Sequence, residues 1–469
     1  MPSPLLRICV LIFCLAAPMA AVAKDPNAKG RTALDEYVEK VDPSYEWKLV
    51  ETSKKPGVTN YAIDLTSQTW RPEDTDRPQW KHRLIIVKPD DVQSDTAFLF
   101  ISGGGNDREF SNNPDVLSMM IARESKTIIA ELKQIPNQPM TFLKDGKPRK
   151  EDDLIGYTWD KVITTGDPTW SARLPMVKAA VRAMDTVQAM LASDEGGKFT
   201  VNKFVVAGGS KRGWTTWLTG AVDKRVVAII PAVIDVLNMK ESMQHHYAAY
   251  GFWAEAVGDY VQHKVMEKQN HPGYKLLIQF EDPINYVDRL TMPKFVVNAA
   301  GDQFFLPDSS QFYWDKLKGE KYLRYVANAE HSLGGTDAPM SIAAFYMSVV
   351  QGTPRPKLDW TFESDGAIRV VTPDKPKKVL LWQATNPDAR DFRVTTIGRA
   401  YKSTPLEDQG DGVFVGNVQP PEKGFTAYFV ELEFESGFKF PFKFTTGVRV
   451  VPDVLPHQDK LQELLSAGK

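Results

Sequence analysis

Short apolar runs alternate with helical patterns over the first 350 or so residues, and then the alternation stops. Residues 97–101 (Ala-Phe-Leu-Phe-Ile) are continuously apolar, 127–130 nearly so, and 204–207, 226–230 and 295–297 repeat the pattern, with 322–326 a weaker member. Runs of this length without polar alternation fit strands buried on both faces, as in a parallel sheet covered by helices. Helical periodicity falls between or after them, at 116–124, 175–192, 214–221 and 341–351. Strand alternating with helix predicts a doubly wound, mostly parallel α/β architecture. Ahead of it, a short helix at 33–41 stops before Pro43. Three β-rich segments at 45–51, 59–70 and 80–87 then suit an antiparallel edge of the same sheet.

Two long interruptions break the pattern. Residues 133–174 are rich in Pro, Trp, Asp and Lys, and 238–288 carry His245, His246 and many aromatics. Long segments on one side of a sheet form lids or substrate walls, and the second is expected to place helices over a site. Gly352-Thr353-Pro354-Arg355-Pro356 reads as a linker. After it come short strand patterns at 358–362, 368–371, 378–382, 392–397, 412–418, 426–434 and 438–444, spaced as in a small immunoglobulin-like β-sandwich spanning 357–455. Residues 456–469 read as a polar helical tail.

The first 23 residues stand apart. One positive side chain, Arg7, precedes an apolar run at 8–17, and Ala21-Val22-Ala23 is a small-x-small cleavage site before Lys24. That is a secretory signal, too short for a membrane span. It predicts an exported chain with no span after cleavage and a main domain over 24–352. Both cysteines, Cys9 and Cys14, lie inside the signal. The mature chain therefore has no disulfide, cysteine nucleophile or cysteine-bound metal, which fits a bacterial periplasm better than a eukaryotic secretory route. A formal net charge of −2 gives no basic excess for nucleic acid.

The candidate chemistry starts at Lys203-Phe204-Val205-Val206-Ala207-Gly208-Gly209-Ser210-Lys211-Arg212-Gly213-Trp214. A buried strand, a tight turn of small residues around a serine and a helix start are how an α/β-hydrolase presents its nucleophile. The turn departs from Gly-x-Ser-x-Gly, since Arg212 takes the final glycine position and Gly213 follows it. Lys211 and Arg212 thus stand beside the serine, either to recognise a substrate anion or to pair with a core or lid carboxylate. In this fold the acid and histidine follow the serine in that order. Asp302, after the run at 295–297 and the turn at Gly301, is the expected acid, with Asp235 a second candidate one strand earlier. His331, in a loop of mostly small residues after 322–326, is the expected base. The oxyanion is expected to meet the backbone N–H of Lys211 and one from the Gly103-Gly104-Gly105 loop, near Gly104. Arg212, His245, His246 and Asp160 are possible substrate contacts. His245 and His246 lack the His-Glu-x-x-His spacing of a zinc site, so neither metal nor cofactor is expected.

Several of these stretches carry a resemblance. Tyr157-Thr158-Trp159-Asp160-Lys161, the run Arg173-Leu174-Pro175-Met176-Val177 continuing to Asp185, Gly209 to Thr219 around Ser-Lys-Arg-Gly-Trp, and Ile234-Asp235-Val236-Leu237-Asn238-Met239 resemble the PhoPQ-activated pathogenicity-related protein family, from about Tyr45 to the end of the β-rich region. The resemblance implies an exported, virulence-linked α/β-hydrolase-like protein with Ser210 at the nucleophile position. It implies no settled substrate. The leading expectation is a serine hydrolase cleaving an ester or amide of a small molecule, a peptide or a sugar. The competing one is a non-catalytic binding or signalling protein on a hydrolase scaffold, with the sandwich's partner unspecified.

Overall fold

The continuous apolar runs become the middle of a nine-stranded sheet. The structure, a computed structural model, describes residues 30–467; the segment read as an export signal lies outside them. The strands are β1 (Glu46–Lys55), β2 (Val58–Thr69), β3 (Gln79–Pro89), β4 (Thr96–Ile101) and β5 (Ile129–Leu132). After a small hairpin, β6 (Met140–Phe142) and β7 (Lys147–Arg149), come β8 (Lys203–Gly209), β9 (Val226–Ala232), β10 (Lys294–Ala299) and β11 (Lys321–Val326). Their order across the sheet is β1-β2-β3-β5-β4-β8-β9-β10-β11. The first three strands are antiparallel to their neighbours, and all pairs from β5 to β11 are parallel. This is an α/β-hydrolase sheet with the antiparallel edge expected from the alternation at 59–87.

Period-two side chains explain why the central strands look uniformly apolar. Leu99, Val206, Ile229 and Val296 enter one core, and Phe98, Val205, Ala228 and Val297 the other. The first core is closed by α4 (Arg173–Ala192) and α5 (Lys211–Val222) through Val177, Met184, Trp217 and Leu218. The second is closed by α2 (Val116–Ser125) and α9 (Ala338–Gln351) through Ile121, Ala344 and Phe345. Each such buried Val, Leu, Ile, Phe or Met side chain contributes about 1.5–3 kcal/mol. The helices α4, α5 and α9 start two or three residues before the apolar pattern does. Pro175 and Pro339 are tolerated there because N–H groups of a first turn have no intrahelical partner. A short α1 (Ala33–Glu39) lies ahead of the sheet, capped by Thr32.

The two interruptions fold as walls. The first holds the β6–β7 hairpin and α3 (Glu151–Thr165), the second α6 (Met239–Tyr250), α7 (Gly258–Gln262) and α8 (Pro272–Glu281). Beyond the linker lie β12 (Asp359–Phe362), β13 (Ile368–Val371), β14 (Lys378–Asn386), β15 (Lys402–Pro405), β16 (Val413–Gly416), β17 (Phe425–Phe434), β18 (Phe442–Thr445) and β19 (Arg449–Val451). They form two antiparallel sheets, β12-β13-β16 and β15-β14-β17-β18, with β19 also on β17. One expectation is corrected: 392–397 is no strand but leads into a one-turn helix, α10 (Val394–Ile397). Asp391 causes this by accepting from the Arg393 N–H and the Thr396 hydroxyl, which closes the turn. The tail carries α11 (Gln458–Ala467). The C-terminal sheets share a core with the main sheet: Ile368, Val430 and Phe444 belong to the cluster that holds Phe295 and Phe345, and Phe444 stacks on Tyr322 at 4.2 Å.

Candidate active site

β8 delivers Ser210 to the turn between strand and helix with φ 58° and ψ −126°. A side chain with positive φ is strained on the order of 1–3 kcal/mol, and the surroundings hold it there. The Ser210 N–H donates to Ala232 O of β9 at 2.8 Å. A Cβ on Gly208 would lie 2.7 Å from Arg212 O, and one on Gly213 2.7 Å from Ala232 O. The close approach of helix to strand therefore falls at 213, not 212. That is why Arg212 can occupy a position where glycine is usual.

The loops after β10 and β11 bring an acid and an imidazole to this serine. His331 Nε2 is 2.8 Å from Ser210 Oγ, and its Nδ1 is 3.0 and 2.9 Å from the two Asp302 oxygens. Asp302 is 3% exposed and also accepts from the Phe304 N–H at 2.8 Å. A carboxylate on Nδ1 places the ring proton there and leaves Nε2 as an acceptor for the serine hydroxyl. The His331 N–H donates to Gln303 Oε1 at 2.9 Å, and the Phe304 ring lies 4.4 Å from the imidazole.

Two backbone segments flank the serine turn. β4 runs parallel to β8 with Ile101 opposite Gly208, so the glycine loop leaves the sheet beside the Ser210 turn. Gly104 has φ 126°, a conformation open to glycine. The carbonyls of Gly103 and Gly104 accept from Gln134 N and Gln138 Nε2, while among the described residues the N–H groups of Gly104 and Lys211 have no partner. Beneath the helix start, Arg173 Nη1 donates to Lys211 O at 2.6 Å, and its Nε pairs with Glu281, both side chains fully buried.

The positive charge beside the serine is matched by the lid. Arg212 makes a two-pronged pair with Glu151 at 2.9 and 2.7 Å, and Lys211 Nζ lies 2.8 Å from Asp152 and 3.2 Å from Glu151. Burial works against ionisation of Glu151, but the Arg212 hydrogen bonds and the charges of Arg212 and Lys211 outweigh it and bring its pKa down to about 2. The Tyr260 hydroxyl donates to Asp152, and His263 meets Asp153 at 2.7 Å, so the start of α3 ties the two walls together. Of the two readings of Arg212, pairing with a lid carboxylate is the one observed, because a bidentate carboxylate already fills its fork.

The other candidate contacts also have partners inside the protein. Asp160 pairs with Lys268. His245 Nε2 lies 3.0 Å from Asp308, which also takes Arg390 Nη2 at 2.6 Å. His246 accepts the Ala254 N–H, and burial pulls its pKa down to about 3. Asp235 does not meet His331: its carboxyl accepts from the Tyr313 and Tyr325 hydroxyls at 2.6 and 2.5 Å. Glu151, Asp152, Arg173 and Glu281 escaped sequence reasoning. Their signals were faint: an acidic run, Glu151-Asp152-Asp153, to match Lys211-Arg212, and single charges within the apolar stretches 173–177 and 276–281.

A cavity of about 50 Å³ opens from Ser210 under the lid. Its wall is apolar, built from Trp159, Trp214, Met239, Met243, Tyr274 and Phe305 among others, with Lys211 and Asp152 at the serine end.

Residues 34–393 match the family described as PhoPQ-activated pathogenicity-related protein. The match starts ahead of Tyr45 and stops within the C-terminal sheets. The chain is also 38% identical to autocrine proliferation repressor protein A of Dictyostelium discoideum, over 95% of this chain and 94% of that protein. Among solved structures it is similar to acetyl xylan esterase 1 from Thermoanaerobacterium sp. JW/SL YS485, at 13% identity and TM-score 0.47 over 68% of this chain and 93% of that one. It is likewise similar to an acetyl xylan esterase from Paenibacillus sp. R4, at 15% identity and TM-score 0.47 over 69% and 96% of the two chains.

Proposed function

The chain belongs to the PhoPQ-activated pathogenicity-related protein family, and we propose that it is an exported serine hydrolase that transfers a short apolar acyl group to water. The observation that carries this is the 2.8 Å contact of Ser210 Oγ with an imidazole whose other nitrogen rests on Asp302. Ser210 Oγ attacks the carbonyl carbon of an ester or amide as its proton passes to His331 Nε2. Asp302 holds the ring and stabilises the imidazolium. The negative oxygen meets the N–H groups of Lys211 and Gly104, and each such donor is worth roughly 3–4 kcal/mol in the transition state. Collapse expels the alcohol or amine with the proton from His331, leaving an acyl group on Ser210. Water, deprotonated by the same imidazole, then releases the acid.

The cavity supports the acyl preference. The cavity is small, and its wall rewards apolar atoms. Lys211 and Arg212 are held by lid carboxylates, which leaves neither of them free for an anionic substrate. The test is hydrolysis of p-nitrophenyl esters from acetate to decanoate. Rates should be highest at two to four carbons, and Ser210→Ala should lower turnover by roughly 10⁴-fold or more. Turnover that survives Ser210→Ala would overturn the proposal.

One observation favours a second reading. The 38% identical relative is named as an autocrine proliferation repressor, and fold does not fix function. A signalling response to this protein that Ser210→Ala leaves intact would support that reading.

A further inference from the structure

The acid and base loops are held partly by each other and partly from outside. The loop after β10 carries Ala300, Gly301 and Asp302, and the loop after β11 carries Asn328, Ala329 and His331. Two backbone-to-backbone bonds tie them together, the Ala300 N–H donating to Val326 O and the Gly301 N–H to Ala329 O, each at 3.0 Å, and Gln303 adds side-chain bonds to the His331 N–H and to Glu330. Residues 390–401, in the connection between β14 and β15 of the C-terminal sheets, add further holds from outside the two loops. The Val394 N–H donates to Gly301 O at 3.0 Å. The Tyr401 hydroxyl donates to Ala300 O at 3.4 Å. Asn328 Nδ2 donates to Tyr401 O and Asn328 Oδ1 accepts from the Tyr401 N–H, both at 2.9 Å.

The fit is close. A Cβ on Gly301, the residue before the acid, would stand 2.5 Å from Val394 Cγ2 and 3.0 Å from Ala329 O. Asn328 sits at φ 56°, where asparagine is tolerated, and its paired bonds to Tyr401 fix that turn three residues before His331. The gripping segment is itself rigid. Asp391 binds the Arg393 N–H, the Arg393 guanidinium and the Thr396 hydroxyl. The Tyr401 ring packs 5.8 Å from Phe429 of β17, inside the C-terminal sheets. A further anchor, Arg390 on Asp308, lies beyond Phe304 and Phe305, whose rings pack beside the imidazole.

We infer that the 390–401 segment is a positioning element for the acid–base pair, so that the C-terminal sheets complete the active site by fixing where Asp302 and His331 stand. The inference rests on the reading of Ser210, His331 and Asp302 as a catalytic set, although the grip itself is a matter of geometry. Preorganisation is where such contacts act, because a misplacement of about 1 Å can cost on the order of 10²-fold in rate.

Two full-length variants test it. Asn328→Gly keeps the backbone conformation and removes both bonds to Tyr401. Val394→Pro removes the N–H that reaches Gly301, at the first position of a helix where proline is tolerated and after a residue already at φ −59° and ψ 139°. Hydrogen–deuterium exchange and ester kinetics are read on both. Exchange should rise in 299–304 and 326–333 while β8 and β9 stay protected. On the preferred ester kcat should fall roughly 10- to 100-fold with KM within about twofold. Asn328→Asp, which keeps the acceptor toward Tyr401, should recover part of kcat. Unchanged loop exchange in both variants, or faster loop exchange with unchanged kcat, would overturn the inference. If the wild type turns over no ester, the proposed reaction falls, and the loop exchange alone decides whether 390–401 holds the pair.

Discussion

Two aspartates stand at the carboxyl ends of neighbouring parallel strands, and they meet different partners. Asp235 follows β9 and Asp302 follows β10, and they are 2% and 3% exposed. Burial alone cannot separate them. Asp302 accepts an imidazole N–H and the Phe304 N–H. Asp235 meets two tyrosine hydroxyls, Tyr313 and Tyr325, and no cation. Burial raises the Asp235 pKa to about 8; the tyrosine bonds oppose the rise and the charges of Asp302 and Asp308 add to it. Burial thus favours the protonated form of Asp235, whereas Asp302 faces an imidazole. What makes an acid useful here is a partner able to become charged, and position on the sheet is not enough.

The largest expected effect breaks this comparison if it fails. Asp302→Asn should lower kcat by roughly 10³–10⁴-fold, and Asp235→Asn by no more than about threefold, since it replaces a protonated carboxyl with a neutral isostere. Equal losses in the two variants, measured on the same ester, would show that both strand ends serve the chemistry.

A smaller effect concerns pH. Asp235 titrates near 3.8 when unfolded and near 8 when folded, so the folded state holds the extra proton between those values. Its contribution is complete below about pH 4 and is lost as pH rises through about 8. His82 and His246 act in the opposite sense. Burial pulls their pKa values down to about 4 and about 3, so stability falls as pH drops below about 6.5. Between pH 5 and pH 9 the melting temperature of Asp235→Asn should therefore fall less than that of the wild type. Parallel curves for the two proteins would mean that Asp235 is not held protonated.

The sequence spoke unevenly about these features. The parallel sheet was readable because strands buried on both faces leave uninterrupted apolar runs such as 97–101. The contact of Asp302 and His331 with Ser210 could be anticipated because in this fold the loops after those strands reach the serine turn. The neutralised charge at Lys211 and Arg212 was not readable, since Glu151 and Asp152 lie some sixty residues away and only folding brings α3 over the serine. The turn at 392–397 was misread because Phe392, Val394 and Ile397 look like strand residues, whereas the bonds of Asp391 to its own neighbours decide the backbone. Tyr401 gave no signal at all, since its role is to meet Asn328 across 73 residues of chain.

The most direct test of the account is the site of covalent capture by a fluorophosphonate, read by intact mass and peptide mapping. The wild-type protein should take up one adduct per chain, on Ser210, and Ser210→Ala should take up none. An adduct that persists in Ser210→Ala, or no adduct on the folded wild-type protein, would contradict it.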